Sequence, residues 1–201
     1  ILVNNPGSWV HIYPPLRHAE WHGWTPTDLI FPYFLFIVGV AIPFSFCRRL
    51  EAGADTSELM RHVVRRSLIL IALGIAMRAI PAFDWGTMRL YGVLQRIGLV
   101  YLAAAGAYLY FERRRRAIAG ATLLLGYWAA MTLIPVPGFG AGDLSPEANL
   151  AAWIDRIVMP GRLWQGTWDP EGLLSTFPAI VTSLLGIMTG EWLQAERDGS
   201  A

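Results

Sequence analysis

Residues 29–47 read LIFPYFLFIVGVAIPFSFC, a run of 19 positions without a charged side chain. An α-helix needs about 20 mainly apolar residues to cross the hydrocarbon core of a bilayer, so this stretch predicts a transmembrane helix. Pro32 and Pro43 fit that prediction, because neighbouring helices and waters can satisfy the carbonyl groups that a proline frees within a membrane. The composition of the whole chain also indicates a membrane protein. Of its 201 residues, 54% are hydrophobic and 15% are charged, whereas soluble domains have about 25% charged residues.

The charged and sulfur-containing residues exclude several classes of function. All 16 basic residues are arginine and the net charge is +1, so no overall positive field would attract a nucleic acid. Cys47 is the single cysteine, which excludes an internal disulfide and a zinc cluster built on cysteines. His18 and His22 are four residues apart, but Gly23 disfavours the helix that a two-histidine metal site needs. We therefore predict no bound metal.

Further apolar stretches predict an all-α fold, a polytopic transmembrane helix bundle. We predict one partial span and five full spans, at approximately residues 1–5 (partial), 27–47, 67–83, 90–111, 117–136 and 172–193. Small residues within these stretches permit close helix packing: Gly39, Gly74, Gly98, Gly106 and Gly186. The chain starts in an apolar stub and ends soon after an apolar run. We therefore expect residues 1–201 to form a single transmembrane domain that is truncated at both ends.

The distribution of arginine predicts the orientation of the bundle. Ten of the 16 arginines lie in residues 48–66, in the turn 112–116 and in the C-terminal tail, and the positive-inside rule makes that side cytoplasmic. The opposite segments, 6–27, 84–89 and 137–170, hold seven of the nine tryptophans. Those tryptophans are either interfacial anchors or surfaces on which sugar rings stack. Long outward loops with histidine, acidic residues and tryptophan are where an outward-facing site would be built.

The densest group of titratable residues is RHAEWHGWTPTD, residues 17–28, directly before the first full span. Thr25 and Pro26 resemble the cap and first position of a helix, which would place Asp28 in the first turn, where the helix dipole favours an anion. One interpretation is a histidine base held by a carboxylate at the mouth of the membrane domain, because the pKa of histidine lies near neutral pH. The other interpretation is an interfacial loop with polar decoration.

Arg96, within GVLQRIGLVY, lies about 9 Å along its helix from Leu90. A charge at that depth usually faces a partner or a water-filled cavity. We interpret Arg96 as a pocket residue for a phosphate, a carboxylate or a polarised carbonyl. A buried ion pair, with Asp28 or Asp84, is the alternative.

A third polar group is TWDPEGLLSTFPAI, residues 167–180. Asp169, Pro170 and Glu171 resemble a helix entry with acidic side chains near its positive end. The hydroxyls of Ser175 and Thr176 either pack helices together or line a site. The sequence does not decide between these alternatives.

Three segments together resemble a known family: LVNN…RHAEWHGWTPTDLIFPYFLFIVGVAIPFS, GVLQRIGLVY and WDPEGLLSTFPAIVTSLLGIMTG, in order from about residue 1 to residue 193. They are similar to bacterial relatives of heparan-α-glucosaminide N-acetyltransferase, a polytopic transmembrane acyltransferase. The resemblance implies transfer of an acetyl group from cytosolic acetyl-CoA, as co-substrate, to an amino sugar or glycan on the periplasmic side. It also implies a multi-pass location in a bacterial inner membrane, in contact with lipid, and leaves a homodimer open.

The resemblance also implies roles for individual residues. His18 matches the essential histidine of the family, Asp28 the aspartate that opens the next helix, and Asn4 the asparagine that ends the preceding one. Gln95 and Arg96 match a glutamine–arginine pair, which we expect at acetyl-CoA. Contacts with the acceptor are expected from residues of the outer segments: Trp21, His22, Trp24 and Asp169.

Two other classes of function stay open from the sequence. A transporter or permease for an envelope sugar or lipid would use His18, Asp28 and Arg96 as substrate or proton-coupling groups. The sequence contains no detectable internal repeat, which counts mildly against a transporter. A non-catalytic membrane scaffold would leave the crowded outer loop and the deep arginine without a purpose.

Overall fold

The computed structural model describes residues 7–8, 10–80, 84, 88–159, 161–164 and 166–197. A short 3₁₀ turn at Pro14–Leu16 precedes the α-helices. These helices are α1 Ile30–Glu51, α2 Thr56–Ala79, α3 Val93–Tyr110, α4 Arg113–Leu133, α5 Leu150–Val158 and α6 Thr176–Arg197. Within the described ranges there is no β-strand, and two isolated bridges join Arg89 to Gly161 and Val136 to Gly140. The predicted all-α class is confirmed.

A helix lies at each of the five predicted full spans. Among the residues described, three of these helices, α1, α3 and α4, are long and apolar enough to cross a membrane by length and composition. Helix α2 has 24 residues but carries Glu58 and several arginines, and the apolar run of α6 is interrupted by threonine, serine and glycine. Five full spans are therefore not confirmed. The partial span at residues 1–5 lies outside the described residues.

Helices α1 and α6 run in the same direction and approach each other closely. A Cβ atom added at Gly39 would lie 2.1 Å from the carbonyl oxygen of Ser183, and one at Gly186 would lie 2.1 Å from that of Phe36. Real side chains do not tolerate such distances, so these positions require glycine for the observed packing. The prediction that Gly39 and Gly186 permit close helix approach is confirmed.

Helices α2 and α3 form a second close pair, with opposite directions. A Cβ atom at Gly74 would lie 2.3 Å from Oε1 of Gln95, and one at Gly98 would lie 2.9 Å from the carbonyl oxygen of Ser67. Gly106 differs, because its Cβ atom would make only an ordinary contact, at 3.8 Å from the Met60 side chain. The close-packing prediction therefore holds for Gly74 and Gly98 but not for Gly106.

The hydrophobic core lies between these two helix pairs. Its buried members come from α1, α2, α3 and α6 and include Ile42, Phe46, Val63, Tyr101, Leu184 and Ile187. The directions of the helices sort the connections into two groups. The turns 52–55 and 111–112 lie at one end with the end of α6, and the described residues of the segments 7–29 and 134–175 lie at the other end. The arginines of residues 48–66 and 113–116 belong to the helices that these two turns join, so they lie towards the same end of the bundle, as the orientation prediction requires.

Arg116 is more than an element of the arginine-rich turn. Its side chain is 4% exposed, and its guanidinium donates to the carbonyl oxygen of Phe111 at 2.6 Å and to the carboxylate of Glu191. The same group lies 5.2 Å from the ring centroid of Tyr108. The ion pair between Arg116 and Glu191 therefore connects the start of α4 to α6. The sequence analysis missed this contact, because Glu191 lies 75 positions further along the chain.

Candidate functional site

Helix α1 begins at Ile30, later than the predicted cap at Thr25 and Pro26. The preceding residues form a turn in which the Asp28 N–H donates to the carbonyl oxygen of Thr25 at 3.0 Å. Oδ2 of Asp28 in turn accepts the N–H groups of Thr25, at 2.8 Å, and of Ala19, at 3.1 Å. A side chain therefore closes this turn, and the regular helix starts after it. The observed helix, Ile30–Glu51, therefore starts and ends later in the sequence than the predicted span 27–47.

His18 and Asp28 meet directly in this turn. Nδ1 of His18 lies 2.6 Å from Oδ1 of Asp28, and the side chains are 65% and 26% exposed. Burial alone would raise the pKa of Asp28, but hydrogen bonds from His18, Thr25 and Ala19 outweigh it and lower that pKa to about 2. An ionised carboxylate only accepts hydrogen bonds, so Nδ1 is the donor, and in the neutral ring Nε2 carries the lone pair. In this arrangement Nε2 of His18 is the ring nitrogen that can accept a proton.

The loop that carries His18 is tied to the turn before α1. The hydroxyl of Thr25 lies 2.8 Å from the carbonyl oxygen of Arg17 and 3.1 Å from Oδ2 of Asp28. The hydroxyl of Thr27, a residue that is 3% exposed, donates to the carbonyl oxygen of Pro15 at 3.2 Å. These contacts hold residues 15–19 in place, so the position of the imidazole depends on more than its bond to Asp28.

The aromatic residues next to His18 differ in what they contact. The indole N–H of Trp21 donates to the carbonyl oxygen of Leu144 at 2.8 Å, and its ring meets that of Trp168 edge-on at 4.9 Å between centroids. Trp21 therefore joins two segments at this end of the bundle that are more than 120 positions apart. The ring of His22 lies 6.5 Å from that of Trp21, and Trp24 is 70% exposed. Trp24 has the exposure that a sugar-stacking role needs.

Gln95 and Arg96 are buried near the start of α3, with 5% and 7% exposure. Nε2 of Gln95 donates to the carbonyl oxygen of Leu90 at 3.0 Å. The guanidinium of Arg96 donates to the carbonyl oxygen of Gly172 at 2.9 Å and to the hydroxyl of Ser175. Nε of Arg96 has no hydrogen-bond partner within the described part of the chain. Arg96 is thus held by neutral groups and retains a free donor.

Asp169 has a structural role that the sequence analysis did not predict. Its side chain is fully buried and pairs with Arg89, whose Nε lies 2.5 Å from Oδ2. The same carboxylate accepts the backbone N–H groups of Trp164 at 3.2 Å and Glu171 at 2.9 Å. A buried carboxylate is stable only when it is paired and hydrogen-bonded in this way. Arg89 and two backbone N–H groups thus occupy both carboxylate oxygens of Asp169, and its contact with the acceptor stays a prediction.

The sequence analysis also missed helix α5 and the buried carboxylate of Asp155. Asn149 caps this helix by accepting the N–H of Ala152 at 2.9 Å. Asp155 is 1% exposed and accepts the N–H of Leu173 at 2.9 Å, at the position where a Cβ atom on Gly172 would lie 1.9 Å from its Oδ2. The available signal was an asparagine directly before the amphipathic run LAAWIDRIV.

Burial raises the pKa of Asp155 to about 6, although the Leu173 N–H and the guanidinium group of Arg96 act in the opposite direction. Asp155, Asp169 and the Arg96 partners Gly172 and Ser175 all lie at the end of the bundle that carries His18. This end therefore contains two polar groups, one around the histidine and one around the buried arginine.

The predicted role of Asn4 and the prediction of no bound metal are not tested by the contacts described above. Asn4, the predicted third catalytic residue, lies outside the described residues. Among the residues that are described, no group of three or more histidine, cysteine, aspartate or glutamate side chains is arranged to hold a metal ion. The structure thus places His18, Asp28, Gln95 and Arg96 at one end of the bundle and leaves Asn4 as a prediction.

The helical bundle, with three helices apolar enough to cross a membrane, and the contact between His18 and Asp28 define the class: a helical membrane protein with a histidine–carboxylate pair at one end. Comparison with known proteins then identifies the family. The family described as "Heparan-alpha-glucosaminide N-acetyltransferase, catalytic" matches residues 9–200. The chain belongs to this family, and the resemblance inferred from the sequence is confirmed.

Two curated relatives agree with this assignment. The chain is 30% identical to heparan-alpha-glucosaminide N-acetyltransferase of Homo sapiens over an alignment of 242 residues, which covers 96% of this chain and 36% of the human protein. It is 29% identical to the enzyme of the same name from Mus musculus over 247 residues, which covers 98% of this chain and 37% of the mouse protein. The chain therefore spans little more than a third of the length of the curated relatives it matches.

Proposed function

We propose that the protein functions as a membrane acetyltransferase, which moves an acetyl group from acetyl-CoA to the amino group of a sugar. Membership of the family supports the reaction type, and the curated relatives are named for acetylation of a glucosaminide. The observation that carries the proposal is the 2.6 Å contact between His18 and the ionised Asp28. This pair is suited to the proton transfer that acylation of an amine requires.

In the proposed step, Nε2 of His18 accepts the proton of the acceptor amine while the amine nitrogen attacks the thioester carbonyl. The new bond is carbon–nitrogen, and the bond that breaks is carbon–sulfur. Asp28 keeps the imidazole in the required tautomer and stabilises the imidazolium, as a carboxylate does for other catalytic histidines. The proton then passes from His18 to the departing thiolate, so the ring returns to its neutral state.

The remaining predicted residues complete the proposal. Asn4 and Gln95 would donate hydrogen bonds to the oxygen that becomes negative in the transition state; loss of one such donor typically costs about 10²–10³ in rate. Arg96, with its unpartnered Nε, would contact the acyl donor. Trp21, His22 and Trp24 would lie at the acceptor.

The proposal also includes the orientation of the helix bundle in the membrane. We place the arginine-rich turns in the cytoplasm of a bacterium and His18 on the periplasmic side of its inner membrane. The bundle would be surrounded by lipid, and a homodimer is consistent with this arrangement.

The decisive experiment measures transfer of radiolabelled acetyl groups by the full-length protein in proteoliposomes, with glucosamine and a panel of amino sugars as acceptors. We expect His18→Ala to lower kcat by about 10²–10⁴, the range for loss of a general base, and Asp28→Asn to lower it as well. His11→Ala is the matched control, because His11 is another histidine of the same outer segment and should leave transfer unchanged.

Near-normal transfer by a folded His18→Ala protein would refute the proposed role of the histidine. Net movement of an unmodified sugar or lipid, without acetylation, would replace the proposal with the transporter alternative. Labelled acetyl on an outer acceptor that depends on His18 would exclude the transporter.

A further inference from the structure

The peptide group between Gly172 and Leu173 lies between two buried ionisable side chains. Its carbonyl oxygen accepts a hydrogen bond from Nη2 of Arg96 at 2.9 Å, and its N–H donates to Oδ1 of Asp155 at 2.9 Å. In a trans peptide the C=O and N–H groups point in opposite directions, so Arg96 and Asp155 lie on opposite sides of this peptide group. The guanidinium and the carboxyl group are thus connected through a single peptide bond.

The packing of Asp155 against this peptide is tight. A Cβ atom added at Gly172 would lie 1.9 Å from Oδ2 and 2.8 Å from Oδ1 of Asp155, so any larger residue at position 172 would displace the carboxyl group. On the other side, the Gly172 carbonyl oxygen also accepts the hydroxyl groups of Thr176 at 2.9 Å and Ser175 at 3.1 Å. The position of this carbonyl group therefore determines how the start of α6 meets Arg96.

The charged neighbours of Asp155 have other partners. Arg156 donates from Nη1 to two backbone carbonyl oxygens, each at 2.9 Å, and Asp169 is paired with Arg89. Burial of a carboxyl group costs free energy that a neutral acceptor of the same N–H would avoid. A purely structural contact with the 172–173 peptide would therefore not need an aspartate.

A carboxylate at this position has an electrostatic effect that a neutral side chain lacks. Burial raises the pKa of Asp155 to about 6, so the group is mainly ionised above that pH. Hydrogen bonds in a chain polarise one another. A carboxylate that accepts the N–H of a peptide therefore makes the carbonyl oxygen of that peptide a better acceptor, here for the guanidinium of Arg96.

We propose that Asp155 is a positioning residue for Arg96 and acts through the 172–173 peptide group. Its carboxylate fixes the peptide, and the peptide carbonyl holds the guanidinium by Nη2. Nε of Arg96, which has no hydrogen-bond partner within the part of the chain that the structure describes, is then left for a ligand. The consequence for acetyl transfer rests on the proposed function, in which Arg96 contacts the acyl donor.

The kinetic test measures acetyl transfer by the full-length protein in proteoliposomes at varied acetyl-CoA concentration. We expect Asp155→Leu, which removes the acceptor of the Leu173 N–H, to raise KM for acetyl-CoA about tenfold and to change kcat by less than about threefold. Asp155→Asn should keep KM within about threefold of the wild-type value, because an amide oxygen still accepts that N–H.

The matched control is Asp143→Leu. Asp143 also accepts a backbone N–H, that of Ser145 at 2.9 Å, but it is exposed and lies outside the contacts around Arg96. This substitution should leave KM for acetyl-CoA unchanged.

A double substitution separates the positioning of Arg96 from general support of the fold. In an Arg96→Leu protein, the further change Asp155→Leu should raise KM by less than about twofold, because no guanidinium remains to be positioned. A merely structural Asp155 would instead lower the yield of folded protein and kcat in both backgrounds and leave KM unchanged in each. That second pattern would overturn the proposal.

Hydrogen exchange tests the same connection without acetyl transfer. Asp155→Leu and Arg96→Leu should each accelerate exchange of the Leu173 amide about tenfold, although Arg96 contacts only the carbonyl side of the peptide. Mass spectrometry of the segment that contains Leu173 measures this rate, and Asp143→Leu should not change it. Exchange that is unaffected by Asp155→Leu in the folded protein would overturn the proposal.

Failure of the proposed function gives a different result. If the wild-type protein transfers no acetyl group but exchange at Leu173 depends on both Asp155 and Arg96, the acetyltransferase proposal fails and the positioning of Arg96 stands. If transfer depends on His18 while KM and exchange are indifferent to Asp155, the acetyltransferase proposal stands and the positioning role fails.

Discussion

Replacement of Gly186 by alanine would place a methyl group where α6 touches α1. The new Cβ atom would lie 2.1 Å from the carbonyl oxygen of Phe36 and 3.0 Å from the backbone nitrogen of Val40. Both neighbours are backbone atoms, so no side-chain rotation relieves the contact. Restoration of an ordinary van der Waals distance requires the two helices to separate by more than about 1 Å, which would weaken contacts along the interface.

The expected loss follows from two opposing effects. Alanine in place of glycine favours a helix by about 1 kcal/mol, whereas overpacking of a tightly packed interface costs typically 1–3 kcal/mol. Because the displaced atoms belong to the backbone, the cost at Gly186 should lie at the upper end. We therefore expect Gly186→Ala to lower the free energy of unfolding by about 2 kcal/mol. Gly126→Ala is the matched control, since nothing lies within 4 Å of its Cβ position.

The assay compares wild type, Gly186→Ala and Gly126→Ala in the same lipid or detergent, by equilibrium unfolding in mixed micelles. Gly126→Ala should be as stable as wild type or more stable by up to about 1 kcal/mol. The sign of the effect should therefore differ between two identical substitutions. If Gly186→Ala matches Gly126→Ala in stability, the close α1–α6 contact does not exist in the membrane.

Two further predictions concern buried charges. The pKa of Asp155 is raised to about 6 from 3.8, so the folded state keeps its proton to higher pH, and stability falls as pH rises from about 4 to 6. Asp155→Asn should remove this decline, which amounts to about 3 kcal/mol. Unfolding measured from pH 4 to 7 checks the prediction, and parallel pH profiles of the two proteins would contradict it. Arg116→Leu should destabilise the protein by about 3 kcal/mol, because it leaves the Glu191 carboxylate without its partner. Arg114→Leu, at an exposed position in the same first turn of α4, should have little effect. Thermal unfolding of both variants checks this, and equal losses of stability would show that Arg116 does not hold α4 against α6.

The candidate site was predictable where its partners are close in sequence. His18 and Asp28 are only ten positions apart, and the turn that joins them lies directly before an apolar run that marks a helix. The resemblance to the family pointed to the same residues. The exact start of α1 was not predictable, because the carboxylate of Asp28 closes the turn that precedes it.

Residues with distant partners could not be assigned from the sequence. Asp169 resembled a helix-entry residue with an acceptor role, but its partner Arg89 lies 80 positions earlier. Arg116 resembled one more charge in a basic turn, and its contact with Glu191 spans 75 positions. Such pairs depend on which helices lie side by side, and local patterns carry no information about that.

The sequence by itself determined the class of the fold, because a bilayer admits long apolar runs only as helices with internally satisfied backbones. It also marked Gly39, Gly74, Gly98 and Gly186, where helices approach closely, and it placed His18 and Asp28 directly before a long apolar run. The tertiary structure alone decided which charges are buried in pairs and which stay available. Helix packing brings Asp169 to Arg89 and Glu191 to Arg116, because a buried charge is stable only beside a partner, and that partner can lie far away in the sequence.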